Sequence, residues 1–595
     1  MHDLNLAIIG NCQIAAMLDG KGQICWSCWP RFDGDPVFCS LMRNDSTGSE
    51  SGLFDIELLG CESTEQHYRP NTAIVNTILH DEHGGAVRIT DFAPRFRLYN
   101  RMYRPTMIVR RIEPLAGSPQ VRIRLRPSFD YGARSPELTH GSHHIRYVGD
   151  DQVLRLTTDL AITAIIEEVP FLLEEPATLI LGPDEPLDEA PATASRTFYE
   201  ETCNYWRDWV RGLSVPFEWQ EAVLRAAIIL KLCTFEDTGA VVAALTTSIP
   251  EAPDSGRNWD YRYCWLRDSY FVVHALNRLG ATKTMEAYLR YTVNIVAQAG
   301  ENTFQPVYGI SGASRIIERQ VSSLSGYRGM GPVHVGNEAY KQRQNDVYGA
   351  VVLAATQMFF DTRLAKQGDR ALFERLEQLG ERAVAVFDRP DAGIWEYRGR
   401  ERVHTYSSVM CWAACDRLAR IAARLGIAKR ERAWRKHADA IRKEILHHSW
   451  NPKSQRLVAS FGGNSLDASL LLLPELRFLP ADDERFRHTM AAVESELRRG
   501  KFLLRYGDAD DFGMPETAFT ICTFWYIDAL AAVGRHAEAR ELFEEMLACR
   551  TSLGLLSEDI HPDTHELWGN FPQTYSMVGI INTAMRLSKS WEEAL

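Results

Sequence analysis

Four segments of the chain gather acids, arginines, amides and aromatic rings as chemistry on a polar substrate requires. The first is Asn258–Asp268, NWDYRYCWLRD, which runs directly into an apolar-periodic stretch and so places Arg267 and Asp268 near a helix N-terminus. An Asp there is favourable simply as a cap. The same pair also suits the vicinal hydroxyls of a sugar, the guanidinium donating and the carboxylate accepting. The second is Tyr340–Gly349, YKQRQNDVYG, where Arg343, Gln344, Asn345 and Asp346 form a polar run before an apolar helix. A plain helix start accounts for it equally well. In the third, Asp391–Gly399, Glu396 follows Ile394 and Trp395. A carboxyl beside a large apolar ring is held neutral because desolvation disfavours its charge, which is what a general acid needs. An exposed loop glutamate is the plain alternative. The fourth, Gly554–Ser576, carries Glu558, Asp559, Asp563 and Glu566. A general base is an ionised carboxylate able to activate water, and chemistry alone does not choose among these four. His561 and His565 flank them without making a convincing helical metal-ligand pair, so no metal site and no cofactor is assigned.

The elements that must position these segments follow two regimes. Up to about residue 195 the pattern is β. VRIRLRP at Val121–Pro127 alternates apolar and basic residues with period two, and AVRITDFAP, TMIVRRIEP and AITAIIEEVP are short, rich in β-branched residues and bounded by turn formers. Turn signals recur about every ten residues, the spacing of an antiparallel sandwich. Residues 196–214 read as a linking helix, and helical spacing then dominates from 215 to 595. In Asp268–Gly280, Phe271, Val272, Ala275, Leu276 and Leu279 share one stripe and Gly280 is a suitable stop. Similar runs fall at 217–236, 282–299, 343–364, 370–387, 403–425, 429–449, 484–499, 515–533, 536–549 and 573–588. The long connections at 300–342 and 550–572 are of the kind that carries function. Many helices with such loops suggest an α/α barrel whose loops meet at one mouth.

Length and composition set outer limits. A chain of 595 residues exceeds the roughly 250–300 residues at which single cores stop growing, so at least two domains are expected. A net charge of −12 argues against a nucleic-acid partner. No apolar run of ~18 residues is present, so no membrane span is expected. The opening MHDLNLAIIGNCQ lacks a basic stretch followed by a long apolar run, which leads to the expectation of a cytoplasmic protein with its 12 cysteines reduced. Cys25 and Cys28 form a lone CxxC, read as small buried thiols.

Taken together, the segments resemble the glucoamylase-type glycoside hydrolases, family fifteen, over essentially the whole length. The resemblance implies an N-terminal antiparallel β-sandwich, a linker helix and a barrel of six α/α hairpins, multidomain β plus α. It rests on Trp265–Leu266–Arg267–Asp268, matching the family's W-x-R-D sugar-binding motif, and on Ile394–Trp395–Glu396, matching its general-acid segment. Gly554–Asp559, followed by Gly569–Gln573, matches its general-base segment and makes Glu558 the base. Arg505 in LLRYGD matches an arginine on the terminal sugar, and Arg343, Asn345 and Asp346 the pocket wall. The implied activity is inverting, exo-acting hydrolysis of an α-glucoside or oligosaccharide, glucoamylase type first and α,α-trehalase as the alternative. Isomaltose or dextran hydrolysis, a phosphorylase and a non-catalytic sugar sensor follow behind. Inversion sets the two carboxyls ~6.5–9.5 Å apart with a water between, and only a closed fold brings residues so distant in sequence together. The leaving group falls to loops near 300–335 and 400–406. Oligomeric state is not fixed by the sequence.

Overall fold

A computed structural model describes residues 2–43, 51–299 and 304–594. The N-terminal part is a sandwich of two antiparallel sheets. One runs in the order Ala7–Gly10, Ala15–Leu18, Ile24–Trp29, Leu53–Leu58, Gln120–Arg126 and Phe171–Leu172, with Asp35–Phe38 also paired to Ile24–Trp29. The other runs from Glu137–His140 through His144–Val148, Val153–Thr158, Ala177–Gly182, Ile108–Ala116, Ala86–Phe92 and Val75–Asp81 to Cys61–Tyr68 at the far edge. The alternation at Val121–Pro127 translates directly into structure. Val121, Ile123 and Leu125 enter the core, while Arg124 lies opposite Asp55 in register and binds it at 2.6 Å. Arg110 and Asp91, also cross-strand partners, form a fully buried pair at 2.8 Å. Arg110 spends another N–H on Phe54 O of the opposite sheet, at 2.6 Å, so this buried charge is both paired and hydrogen-bonded, as burial demands.

One segment departs from the β expectation. AITAIIEEVP contains the short helix Ile162–Ile166, which buries Ile162 and Ile165 on one face. Its β-branched composition suggests a strand, but the i, i+3 spacing of those two side chains is helical, and Glu168 at φ +53° turns the chain away. The linking helix also starts earlier than expected, running Pro191–Arg211 with proline in its first turn, where no N–H is missed.

Beyond it the helices close an α/α barrel. Leu266–Arg278, Asp346–Phe360, Thr405–Arg424, Ala468–Leu472, Thr520–Ala532 and Thr574–Leu587 touch in that order, and the last returns to the first. Six further helices pack around this ring: Gln220–Leu232, Thr282–Ala299, Arg370–Val386, Ala428–Ser449, Glu484–Leu497 and His536–Ala548. Position in the ring explains the patterning. Thr520–Ala532 is apolar all round because neighbours cover every face, whereas Arg370–Val386 buries only a stripe through Phe373, Leu376, Leu379 and Ala383. The fourth inner place is held by a single 3-10 turn, Ala468–Leu472, whose first N–H groups are capped by Asp467.

Sandwich and barrel are joined by buried polar contacts. Trp26 Nε1 donates to Leu245 O at 2.9 Å, and Arg95 binds Glu236 at 2.7 Å. Arg262, fully buried, is paired with Asp260 at 2.7 Å and reaches across to Gly34 O at 2.9 Å and the Tyr131 hydroxyl at 3.1 Å.

Candidate active site

The loops at one end of the inner helices enclose a pocket with about 900 Å³ of atom-free space, mouth included. Trp265, Arg267, Asp268, Trp395, Glu396, Arg505 and Glu558, from four separate stretches of chain, all line it.

Its floor is the start of helix Leu266–Arg278. The helix cap is Trp265, which makes no side-chain capping bond, so Asp268 is free to face the pocket. Arg267 is the hub. It reaches Asp268 Oδ1 at 3.1 Å, Asp346 Oδ2 at 3.5 Å, Glu396 Oε1 at 3.3 Å and Gln344 Oε1 at 2.8 Å. Burial drives the Asp268 carboxyl up to about 6 despite that guanidinium, with Glu396 adding to the rise.

Glu396 stands on a tight turn following the polar segment Asp391–Gly393. Its N–H donates to Gly393 O at 3.2 Å, and its φ of +58° lies in the left-handed region. A non-glycine residue there stores about 1–3 kcal/mol of strain, a cost that concentrates at functional sites. Oε1 accepts three hydrogen bonds: from Trp265 Nε1 at 2.7 Å, Gln344 Nε2 at 3.1 Å and Arg267. The indole touching Glu396 is therefore that of Trp265. Trp395, the expected neighbour, turns its ring to Tyr506, Phe519 and Trp525 at centroid distances of 5.9–6.2 Å. Consecutive side chains on this turn diverge, which adjacency in sequence does not reveal.

Glu558 is almost wholly buried, at 1% exposure. The Tyr261 hydroxyl donates to Oε1 at 2.6 Å and Asn570 N to Oε2 at 3.2 Å. The backbone approaches so closely that a Cβ at Gly569 would lie 2.6 Å from Glu558 Cβ. Glycine is required there, and also tolerates the φ of +74°. Burial, then the Glu251 and Asp559 carboxylates, push Glu558 well above the usual glutamate range, against the Tyr261 hydroxyl and Arg505. In the open, an acid-rich polar loop such as this one would ionise easily. The acids are there, but the barrel encloses them. Arg505, 9% exposed, is tied to Glu251 by its guanidinium.

Three expected wall residues stand elsewhere. Arg343 is exposed and contributes only its carbonyl, to Ala392 N at 2.9 Å. Asn345 binds Val386 O and Arg389 O, each at 3.1 Å, and so braces the acid loop from outside the pocket. Asp346 lies buried behind Arg267. In such a run the side chains splay around the helix start, and the inward places fall to Gln342 and Gln344, which bond Glu396 O and Oε1. Glu251 and Tyr261 also belong to the site. Tyr261 sits within the segment that the sequence singled out; Glu251, alone in a proline-flanked stretch, gives no signal. Of the loops expected to meet a leaving group, 300–303 lie outside the described residues, and Arg400 and His404 pack on Tyr397 rather than line the pocket. Among the described residues no set of three or more His, Cys, Asp or Glu is placed to hold a metal ion, and no helix is long and apolar enough to cross a membrane.

In chemical terms this is a dense buried floor of Arg and Asp, suited to a neutral polyhydroxylated ring, with two glutamates on separate loops above it. Comparison with known proteins agrees. The family model described as glycosyl hydrolases family 15 matches residues 219–585, and that described as trehalase-like, N-terminal matches residues 4–167. A trehalase of Thermoplasma volcanium is 31% identical over 99% of this chain and 93% of its own. A trehalase of Mycolicibacterium smegmatis is 31% identical over 98% and 91%. Among solved structures, a bacterial glucoamylase complexed with acarbose superposes with a TM-score of 0.70 over 98% of this chain and 94% of that one at 14% identity, which shows the shared fold.

Proposed function

The chain belongs to glycosyl hydrolase family 15, and from that premise we propose that it is an α,α-trehalase working by inversion. It is a glycoside hydrolase of the glucoamylase or trehalase type. Whole-length relatives named trehalase reverse the order suggested by the sequence, which put glucoamylase-type activity first.

The observation that carries the mechanism is the unequal dressing of the two glutamates. Glu396 Oε1 is taken by three donors, which leaves Oε2 to hold the proton of a general acid. Glu558 is buried among other acids and is a stronger base for it once ionised. Arg267, Asp268 and Arg505 hold one glucose of trehalose on the floor. The C1–O bond breaks with its electron pair moving to the bridging oxygen, which takes the Glu396 proton. Water attacks C1 from the opposite face and passes a proton to Glu558. Because both anomeric centres of trehalose are α, inversion at one yields one β-glucose and one α-glucose.

The test is proton NMR of the first turnovers, before mutarotation, with trehalose, maltose, isomaltose and soluble starch offered in parallel. Trehalose should be turned over fastest, giving equal α- and β-glucose. Preference for maltose or starch would overturn the substrate, and two α-glucoses would overturn inversion.

A further inference from the structure

Exposure gives the pocket a direction. Arg267 and Asp268, at 6% and 9%, form its floor, Glu558 is enclosed at 1%, and Phe512 at 40% stands at its mouth. Phe512 meets Trp259 edge to face at 5.2 Å, and both rings line the same pocket. Phe512, the exposed ring of the two, stands on the mouth side, the side on which the second ring of a disaccharide has to lie.

The segment carrying Phe512 is pinned across the mouth on two sides. Asp510 takes both terminal nitrogens of Arg257 at 2.6 Å each. Asp511 Oδ2 accepts the N–H of Arg398 at 2.9 Å and of Gly399 at 2.8 Å, just after the loop that bears Glu396. Arg398 in turn lies 4.3 Å over the Trp259 ring and binds Glu318 at 2.8 Å. These are charge-assisted or bidentate contacts, the strong class, and they join four stretches of chain around one opening.

We propose that residues 508–513 form a fixed collar that limits the substrate to two sugar rings, with Trp259 and Phe512 as the platform for the departing glucose; this deepens the trehalase reading and rests on it. The chemistry fits both parts. The apolar C–H face of a glucose packs on aromatic rings, while a third ring has to displace Phe512 or break the Asp511 bonds. Specificity for a short substrate then comes from an obstacle as much as from attraction.

The experiment compares kcat/KM for trehalose with that for the trisaccharide made by adding an α-1,4-linked glucose to one of its rings, in the full-length enzyme. Wild type should prefer trehalose by 100-fold or more. Phe512→Ala should raise the KM for trehalose, and both Phe512→Ala and Asp511→Ala should lower the preference at least tenfold. Melting temperatures close to wild type would show that both variants fold. A preference within twofold of wild type in both variants, or a wild type that cleaves the two sugars equally well, would overturn the collar. If wild type leaves trehalose intact, the substrate reading falls by itself; the collar is then decided by the maltose-to-maltotriose ratio in the same three proteins, with the same thresholds.

Discussion

Trp265 donates its indole N–H to Glu396 Oε1 at 2.7 Å, and the edge of its ring meets Tyr261, the hydroxyl donor to Glu558, at a centroid distance of 5.3 Å. The two glutamates are thus linked through a pair of rings. As Glu396 gives up its proton it becomes charged, and a hydrogen bond to a charged group contributes about 1.5–3 kcal/mol. If its role is to aim the acid, Trp265→Phe should lower kcat by about 10- to 100-fold with a smaller change in KM. A rise in KM at unchanged kcat would instead assign the indole to sugar binding.

The two glutamates should separate by leaving group. Glu396→Gln should lose about 100-fold or more on trehalose and retain far more on α-glucosyl fluoride, whose fluoride needs little protonation. Glu558→Gln should fail on both, and azide should restore part of its glucosyl fluoride activity by replacing the unactivated water. Near-normal turnover in both variants would remove the pair from the mechanism.

Stability and activity should respond to pH in opposite directions. Burial pushes Asp268 up to about 6, Asp391 to about 7 and Asp559 to about 8, whereas an unfolded Asp titrates near ~3.9. Folded values above unfolded ones mean that this contribution to stability is complete below about pH 4 and is lost as the pH rises through those folded values. Glu558, by contrast, must be ionised to act, and its value is raised, so the acid limb of kcat/KM should lie above the ordinary ~4.3. Between pH 5 and 8 the melting temperature should therefore fall while kcat/KM climbs. Asp391→Asn should flatten the fall in melting temperature; an unchanged slope would take Asp391 out of the account.

Asp268→Asn should lower kcat/KM about 100-fold while leaving stability within about 1 kcal/mol, the usual worth of a helix cap. Its raised value shows that the fold disfavours its charge, so neutralising it should cost the fold little. A destabilised variant with normal activity would make it a structural residue only.

The β region and the barrel should not work apart. Removing one partner of a buried ion pair costs about 3–5 kcal/mol, so Arg262→Ala should lower the melting temperature and the activity together, although Arg262 itself is absent from the pocket lining. A fragment starting near residue 215 should be insoluble or inactive. A stable, fully active fragment would refute this coupling.

What could be read from the sequence follows from what each signal depends on. The strand Gln120–Arg126 and the helices around the ring could be read because their periodicity records which side faces the core. The inner turn Ala468–Leu472 could not, since five residues hold too little periodicity to register, and its place is set by its neighbours. Glu396, Glu558, Arg267 and Asp268 were legible from their motifs. Their surroundings were not: Trp265 in place of Trp395 on the acid, the enclosure of Glu558, and Phe512 with Asp511 at the mouth all arise from loops distant in sequence that meet only once the barrel closes.

Arg262 has a consequence for how the chain is made. Its receivers, Gly34 and Tyr131, are synthesised long before it, and it lies three residues ahead of Trp265, in the stretch that shapes the pocket floor. During synthesis the earlier segment leaves the ribosome first, so the turns that accept Arg262 are available when it emerges. The last residues needed, Glu558 with its Gly569–Gln573 bracket, arrive near the end of the chain. The helix Thr574–Leu587, which closes the ring onto Leu266–Arg278, comes later still, so ribosomes that stall before residue 558 leave a chain with neither its base nor a closed ring around the sugar seat.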